Sequence, residues 1–159
     1  MVRFREVSVD DSDARALLTA YFADRAATFP GGPAAYVTRF PVASSFEGDE
    51  GTFLVAELDE FDSPIGCGGI RRLDAAGGAS TRFEVKHLWV EPRARGLHAG
   101  RAILAELERR SLLAGATHLV LDTNASQREA SGLYRSSGFV EVAPYNDNGN
   151  ATMWFSKAL

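Results

Sequence analysis

The sequence predicts an α+β fold, a mixed sheet flanked by helices, built as a single domain over residues 1–159. Three observations predict it. Strand-like runs stand at both ends of the chain, "VRFREVSV" near the start and "ATMWFSKAL" at the finish. Helical runs with apolar residues three and four apart lie between further strand-like runs. The 159 residues, 45% of them hydrophobic, suffice to bury one core, and no repeat or linker-like stretch divides them.

Each element has its own signal. "VRFREVSV" alternates apolar and polar residues, as a half-buried strand does. "DDSDARALLTAYFADRAA" offers Asp11 or Ser12 as a cap, then Leu17, Leu18, Tyr21 and Phe22 at helical spacing. "FPGGPAAYVTRFP" holds too many breakers for a long element and reads as loop, with room for a short helix. "GTFLVAEL" and "SPIGCGGIRRL" read as neighbouring strands joined by "DEFDSP", and "STRFEVKHLWV" is the strongest strand signal in the chain. A helix is expected from about His98 to Ala114, with Ala99, Ile103, Leu107 and Ala114 on one stripe, Arg110 interrupting it and Gly115 ending it. "THLVLDT" reads as a buried strand. "SQREASGLYRSSG" reads as a short helix opened by a Ser126–Glu129 capping box and closed by Gly138. "FVEVAPY" and "ATMWFSKAL" complete the sheet as a strand pair around "NDNGN".

Composition narrows the function. A net charge of −4 argues against nucleic acid or an anionic membrane as the main partner. The first residues lack the apolar core of a signal peptide and no apolar run reaches membrane-spanning length, so a cytoplasmic protein is expected. Cys67 is the single cysteine, which leaves no internal disulfide, and three separated histidines do not suggest a metal site. In its apolar strand Cys67 reads as a buried structural thiol, and His87 as a satisfied core histidine.

One segment contradicts the acidic balance. "VEPRARGLHAGRA" gathers Arg93, Arg95, Gly96, Gly100 and Arg101 between a strand and a helix. A helix start leaves N–H groups unpaired and carries partial positive charge, which favours a bound phosphate. Glycine admits a close ligand and arginine adds forked donors, so a pyrophosphate fits best. A solvated basic turn with a packing glycine is the competing reading. Neither "GxxxxGK[ST]" nor a "GxGxxG" after the first strand is present, which argues against the common nucleotide sites.

Two blocks together resemble the GNAT superfamily of N-acetyltransferases. "RGLHAG", residues 95–100, is similar to its acyl-CoA loop (Arg or Gln, two residues, Gly, one residue, Gly or Ala), with His98 where glycine is usual. "ASGLYRSSGF", residues 130–139, is similar to its second pattern, and the spacing of the blocks also matches. The resemblance covers the chain from about Gly51 onward. It implies a three-layer fold with a mostly antiparallel sheet of six to seven strands and about four helices. It also implies acetyl-CoA as co-substrate, no metal, and a primary amine as acceptor. Relatives often pair, so a homodimer is compatible with it.

The resemblance assigns the site residues. Arg95, Gly96, Leu97, His98, Ala99, Gly100 and Arg101 would hold the pyrophosphate, and an αR backbone at His98 would keep its N–H as a donor. The main chain of Leu88, Trp89 and Val90 would hold the pantetheine arm and polarise the thioester. Gln127 replaces the family's usual asparagine ahead of Ala130, and Asn124 offers another amide. Tyr134 would protonate the leaving sulfur, since a phenol of pKa about 10 stays protonated at neutral pH. Glu84 is the candidate base, against a salt bridge with Lys86 on the same strand face; strict alternation places Leu88 and Val90 on that face and Phe83, Val85, His87 and Trp89 on the other. The acceptor would enter between "TFPGGPAAY" and "PYNDNGN", with Phe29, Tyr36 and Tyr145 at the entrance. A free amino acid, a polyamine, a drug and a protein terminus all remain open as acceptor, as does a non-catalytic acyl-CoA-binding module of the same fold.

Overall fold

The structure, a computed structural model, describes residues 1–75 and 77–159, and ten α-helices and β-strands follow one another along the described residues. In order they are β1 (Arg3–Glu6), α1 (Ser12–Ala27), β2 (Gly51–Glu57), β3 (Gly66–Arg72), β4 (Arg82–Val90), α2 (Ala99–Leu113), β5 (His118–Thr123), α3 (Arg128–Ser136), β6 (Val140–Val142) and β7 (Met153–Ala158). The seven strands form one sheet in the order β1-β2-β3-β4-β5-β7-β6. Every neighbouring pair is antiparallel except β4 and β5. The described residues hold three α-helices where four were expected, because the breakers after α1 permit only short 3₁₀ turns.

The helices bury opposite faces of the sheet. Asp11 opens α1, its carboxylate accepting from the N–H groups of Asp13 (2.9 Å) and Ala14 (3.4 Å). Leu17, Leu18 and Phe22 then pack with Phe46, Phe53, Val55, Cys67 and Trp89. On the other face, Ile103, Leu104 and Leu107 of α2 pack with Leu54, Ile70, Phe83, Leu88 and Leu119, joined by Tyr134 of α3. The buried stripe of α2 ends at Ser111, and Ala114 is exposed, contrary to the expected pattern. Gly68 permits the close approach of α2: a Cβ there would meet Ile103 and Leu107 at 3.0 Å.

Two departures from regular pairing shape the site. In β3–β4 the register slips, so that Cys67 faces Trp89 while Gly69 faces Lys86. His87 takes up the extra residue at φ 56°, a β-bulge. The bulge resets the alternation: Leu88 and Val90 join Phe83 and Val85 on the α2 side, and His87 and Trp89 lie on the α1 side. Strict alternation placed these four residues on the wrong faces. The second departure is the parallel pair β4–β5, which holds only from Arg82↔His118 to Glu84↔Val120. Beyond that point β5 keeps its pairing with β7 alone, so a wedge opens between the ends of β4 and β5.

Candidate active site

The loop from β4 to α2 ends in an uncapped helix start. His98 is the cap residue, yet its side chain makes no capping bond. The first intrahelical bond reaches back from the Ala102 N–H to the His98 carbonyl at 3.1 Å, which leaves the earlier N–H groups of α2 unpaired within the helix. His98 stands at φ 60°, ψ 13°, a left-handed conformation, where αR was expected. That backbone explains the usual glycine there, since a side chain in this region costs about 1–2 kcal/mol. Gly96 is also left-handed at φ 82°, with open space around it.

Arg95 turns away from this start. Its Nη2 reaches Asp24 of α1 at 3.1 Å and its Nε donates to the Val90 carbonyl at 3.2 Å. Asp24 also accepts from the Trp89 indole at 3.0 Å, so α1 braces both the loop and the end of β4. Arg101 donates to Ser136 at 2.8 Å, joining α2 to α3. Gly100 sits against α3, where an added Cβ would lie 3.5 Å from Leu133.

A cleft of about 760 Å³ opens on the α1 side of the sheet, lined by Tyr21, Phe22, Arg25, Tyr36, Lys86, His87, Leu88, Asp122, Asn124, Gln127 and Tyr134 among others. Tyr134 is buried, and burial pushes its phenol up to about 12. No hydrogen bond engages that hydroxyl among the described residues. Asn124 accepts from the Ser126 N–H at 3.0 Å and donates to the Asn150 carbonyl at 3.2 Å. That local turn displaces the expected capping box: α3 starts on Gln127 with no side-chain cap. Gln127 itself donates to Thr28 at 3.1 Å, tying α3 to the end of α1, and Ala130 packs half-buried one turn before Tyr134.

Glu84 is fully buried and does not line the cleft. Arg71 donates to its Oε1 at 2.7 and 2.8 Å, while Tyr145 (2.7 Å) and Asn146 (3.4 Å) donate to its Oε2. Lys86 lies 3.5 Å from Glu84 and 3.2 Å from Asp122. Tyr145, expected at the entrance, is thus turned into this cluster, and burial raises its pKa. Phe29 and Tyr36 do line the cleft, stacked edge to face at 5.4 Å.

The segment 146–150, expected as a polar turn at the acceptor entrance, does line the cleft and is in addition a ladder of asparagines. Asn146 donates to Asp122 (2.7 Å) and accepts from the Trp154 indole (2.9 Å); Asn148 donates to Asp122 (3.2 Å); Asn150 exchanges two bonds with Val37 (2.8 and 3.1 Å). Its alternate spacing in "NDNGN" is the one signal that could have marked it. His87 also differs from expectation. Its Nδ1 is buried without a partner, its ring lies 5.5 Å from those of Tyr21 and Phe22, and burial first, then Lys86 and Arg71, lower its pKa to about 3. Cys67 is buried, with Sγ 3.4 Å from the His87 carbonyl, and burial raises its pKa.

A profile of the Acetyltransferase (GNAT) family matches residues 14–139. An "IAA acetyltransferase" of Azospirillum brasilense is 37% identical over 97 residues, 61% of this chain and 60% of its own length. The match spans about three fifths of the length of the curated relatives. Among solved structures, a candidate acyl-CoA N-acyltransferase of Klebsiella pneumoniae superposes with a TM-score of 0.77 at 23% identity, covering 100% of this chain and 98% of the other. A GNAT family acetyltransferase of Elizabethkingia anophelis, solved with acetyl-CoA bound, superposes at 0.65 with 15% identity over 99% and 98%.

Proposed function

The chain belongs to the acetyltransferase (GNAT) family, and from that premise we propose that it transfers the acetyl group of acetyl-CoA directly to a primary amine. The observation that carries the proposal is the parting of β4 from β5 beside an uncapped helix start, with Tyr134 in the adjoining cleft. In this reading the N–H groups of residues 96–101 and the Arg101 guanidinium hold the pyrophosphate. The open edge of Leu88, Trp89 and Val90 receives the pantetheine arm, and one of its N–H groups polarises the thioester carbonyl. Asn124, Gln127 and Ala130 border the arm from the other side of the wedge.

The amine nitrogen forms its bond to the acetyl carbon as the C–S bond breaks. Tyr134 gives its proton to the departing sulfur, the surplus proton of the amine leaves to water in the cleft, and water returns a proton to the Tyr134 phenolate. A phenol held at about 12 stays protonated, so its own ionisation removes no activity until the pH nears that value. Glu84 enters as a positioning residue, because its carboxylate is already held by Arg71, Tyr145 and Asn146.

The test is release of free CoA from acetyl-CoA with a panel of amines. At least one amine is expected to turn over, and Tyr134→Phe to lower kcat by roughly 10²–10⁴. An unchanged kcat with the chemical step limiting removes Tyr134 from the mechanism. The enclosure of Glu84 favours one rival, an acyl-CoA-binding module without turnover. Acetyl-CoA binding with no CoA release from any amine would establish that rival.

A further inference from the structure

Two guanidiniums in the cleft lack a carboxylate. Arg25 of α1 and Arg39 of the segment after it both line the cleft, and neither forms an ion pair among the described residues. The other cations on the wall are matched, Arg71 by Glu84 and Lys86 by Asp122. Of the carboxylates on the wall, Asp122 is taken and Asp147 is free of ion pairs among the described residues. The wall therefore carries a surplus of one positive charge. Arg25 is half-buried against Tyr21, its guanidinium carbon 5.3 Å from the ring centroid, which orients the fork but does not neutralise it. Much of the remaining wall is aromatic: Phe22, Phe29, Tyr36, Phe40 and Phe46.

A half-buried cation without a counter-ion costs stability, and a ligand anion offsets that cost. We propose that the acceptor amine also carries a carboxylate on an apolar body, and that Arg25 and Arg39 bind that carboxylate. The inference rests on the acetyl-transfer reading above. A surplus of one charge matches a monoanion, and a planar fork matches a carboxylate. The aromatic wall takes the apolar body, whereas a polyamine meets repulsion. The phosphates of CoA have separate donors, because none of residues 91–101 lines this cleft. The same surplus disfavours a bound ammonium and so favours the neutral amine that attack requires.

The test uses matched acceptors that differ only at the carboxyl end: leucine and phenylalanine, their carboxamides, and the corresponding amines lacking the group. The free carboxylates are expected to be preferred in kcat/KM by roughly 10–100-fold, the worth of one charge-assisted hydrogen bond. Arg25→Gln, and separately Arg39→Gln at an exposed position, should abolish the preference by raising the acceptor KM while the acetyl-CoA KM stays unchanged. Equal or better turnover of the carboxamides overturns the inference and leaves acetyl transfer standing. A rise in the acetyl-CoA KM in either variant also overturns it, by assigning the guanidiniums to the coenzyme. No CoA release from any amine defeats acetyl transfer itself and takes this inference with it.

Discussion

His87 sits where β4 bulges, with a left-handed φ of 56° and its ring among Tyr21, Phe22 and Phe46. Its folded pKa of about 3, against 6.5 unperturbed, means that the native state holds the imidazole neutral while the unfolded chain takes up a proton below 6.5. Stability should therefore fall as the pH drops below 6.5 and continue to fall until about 3, with a slope approaching 1.4 kcal/mol per pH unit (roughly one proton's worth). Between about pH 7 and pH 5 few carboxylates titrate, so the histidine dominates the slope. His87→Asn keeps a residue that tolerates left-handed backbone and cannot be protonated. Urea melts across that window should show the slope in the parent and its loss in the variant. Equal slopes would mean that the imidazole is not held neutral by its surroundings.

The sheet's polar cluster acts at the scale of elements. Arg71 of β3, Glu84 of β4, Asp122 of β5 and Asn146 between β6 and β7 connect four parts of the sheet through one part-buried network around the buried Glu84. Glu84→Gln leaves the Arg71 guanidinium without its charge partner; because that guanidinium is partly solvated at the cleft wall, the break costs about 1–3 kcal/mol, less than for a fully buried pair. The expected result is a measurable loss of stability by denaturant titration, with kcat falling far less than in Tyr134→Phe. A collapse of kcat in a variant as stable as the parent would instead make Glu84 the base. Elements of this kind were legible where periodicity decides: β2 to β5, α1 and α2 follow apolar spacing that any burial against a sheet demands. The bulge was not legible, because one extra residue leaves no mark in composition yet turns His87 and Trp89 to the other face. The start of α3 was misread because Asn124 bonds the Ser126 N–H, so local turn chemistry overrode the capping box. The helix start after β4 was legible from its glycines, whereas the direction of Arg95 was not, because its partner Asp24 lies far away in the sequence on α1. That Arg25 lies without an ion pair among the described residues was not legible either, because an unpaired cation is visible only once its neighbours are known.

At the scale of the molecule, the site is assembled from distant parts of the chain. Asp24 of α1 holds Trp89 and Arg95, Thr28 at its end holds Gln127, and Val37 holds Asn150, so α1 and the segment after it brace the end of β4, the start of α3 and the loop before β7. Acetyl-CoA bound in that wedge would touch β4, α2, β5 and α3 together, surfaces that only the folded chain brings into one place. Binding to the native state alone stabilises it by about 2.7 kcal/mol at one hundred times the Kd. For a chain of 150 residues or more, each kcal/mol raises Tm by roughly 2–4 °C, so a rise of about 5–11 °C is expected. Thermal melts with acetyl-CoA, and with desulfo-CoA as a control that keeps the pyrophosphate, should shift together if the helix start provides the main grip. A melt unmoved by either compound would mean that the parted strands receive something other than the coenzyme.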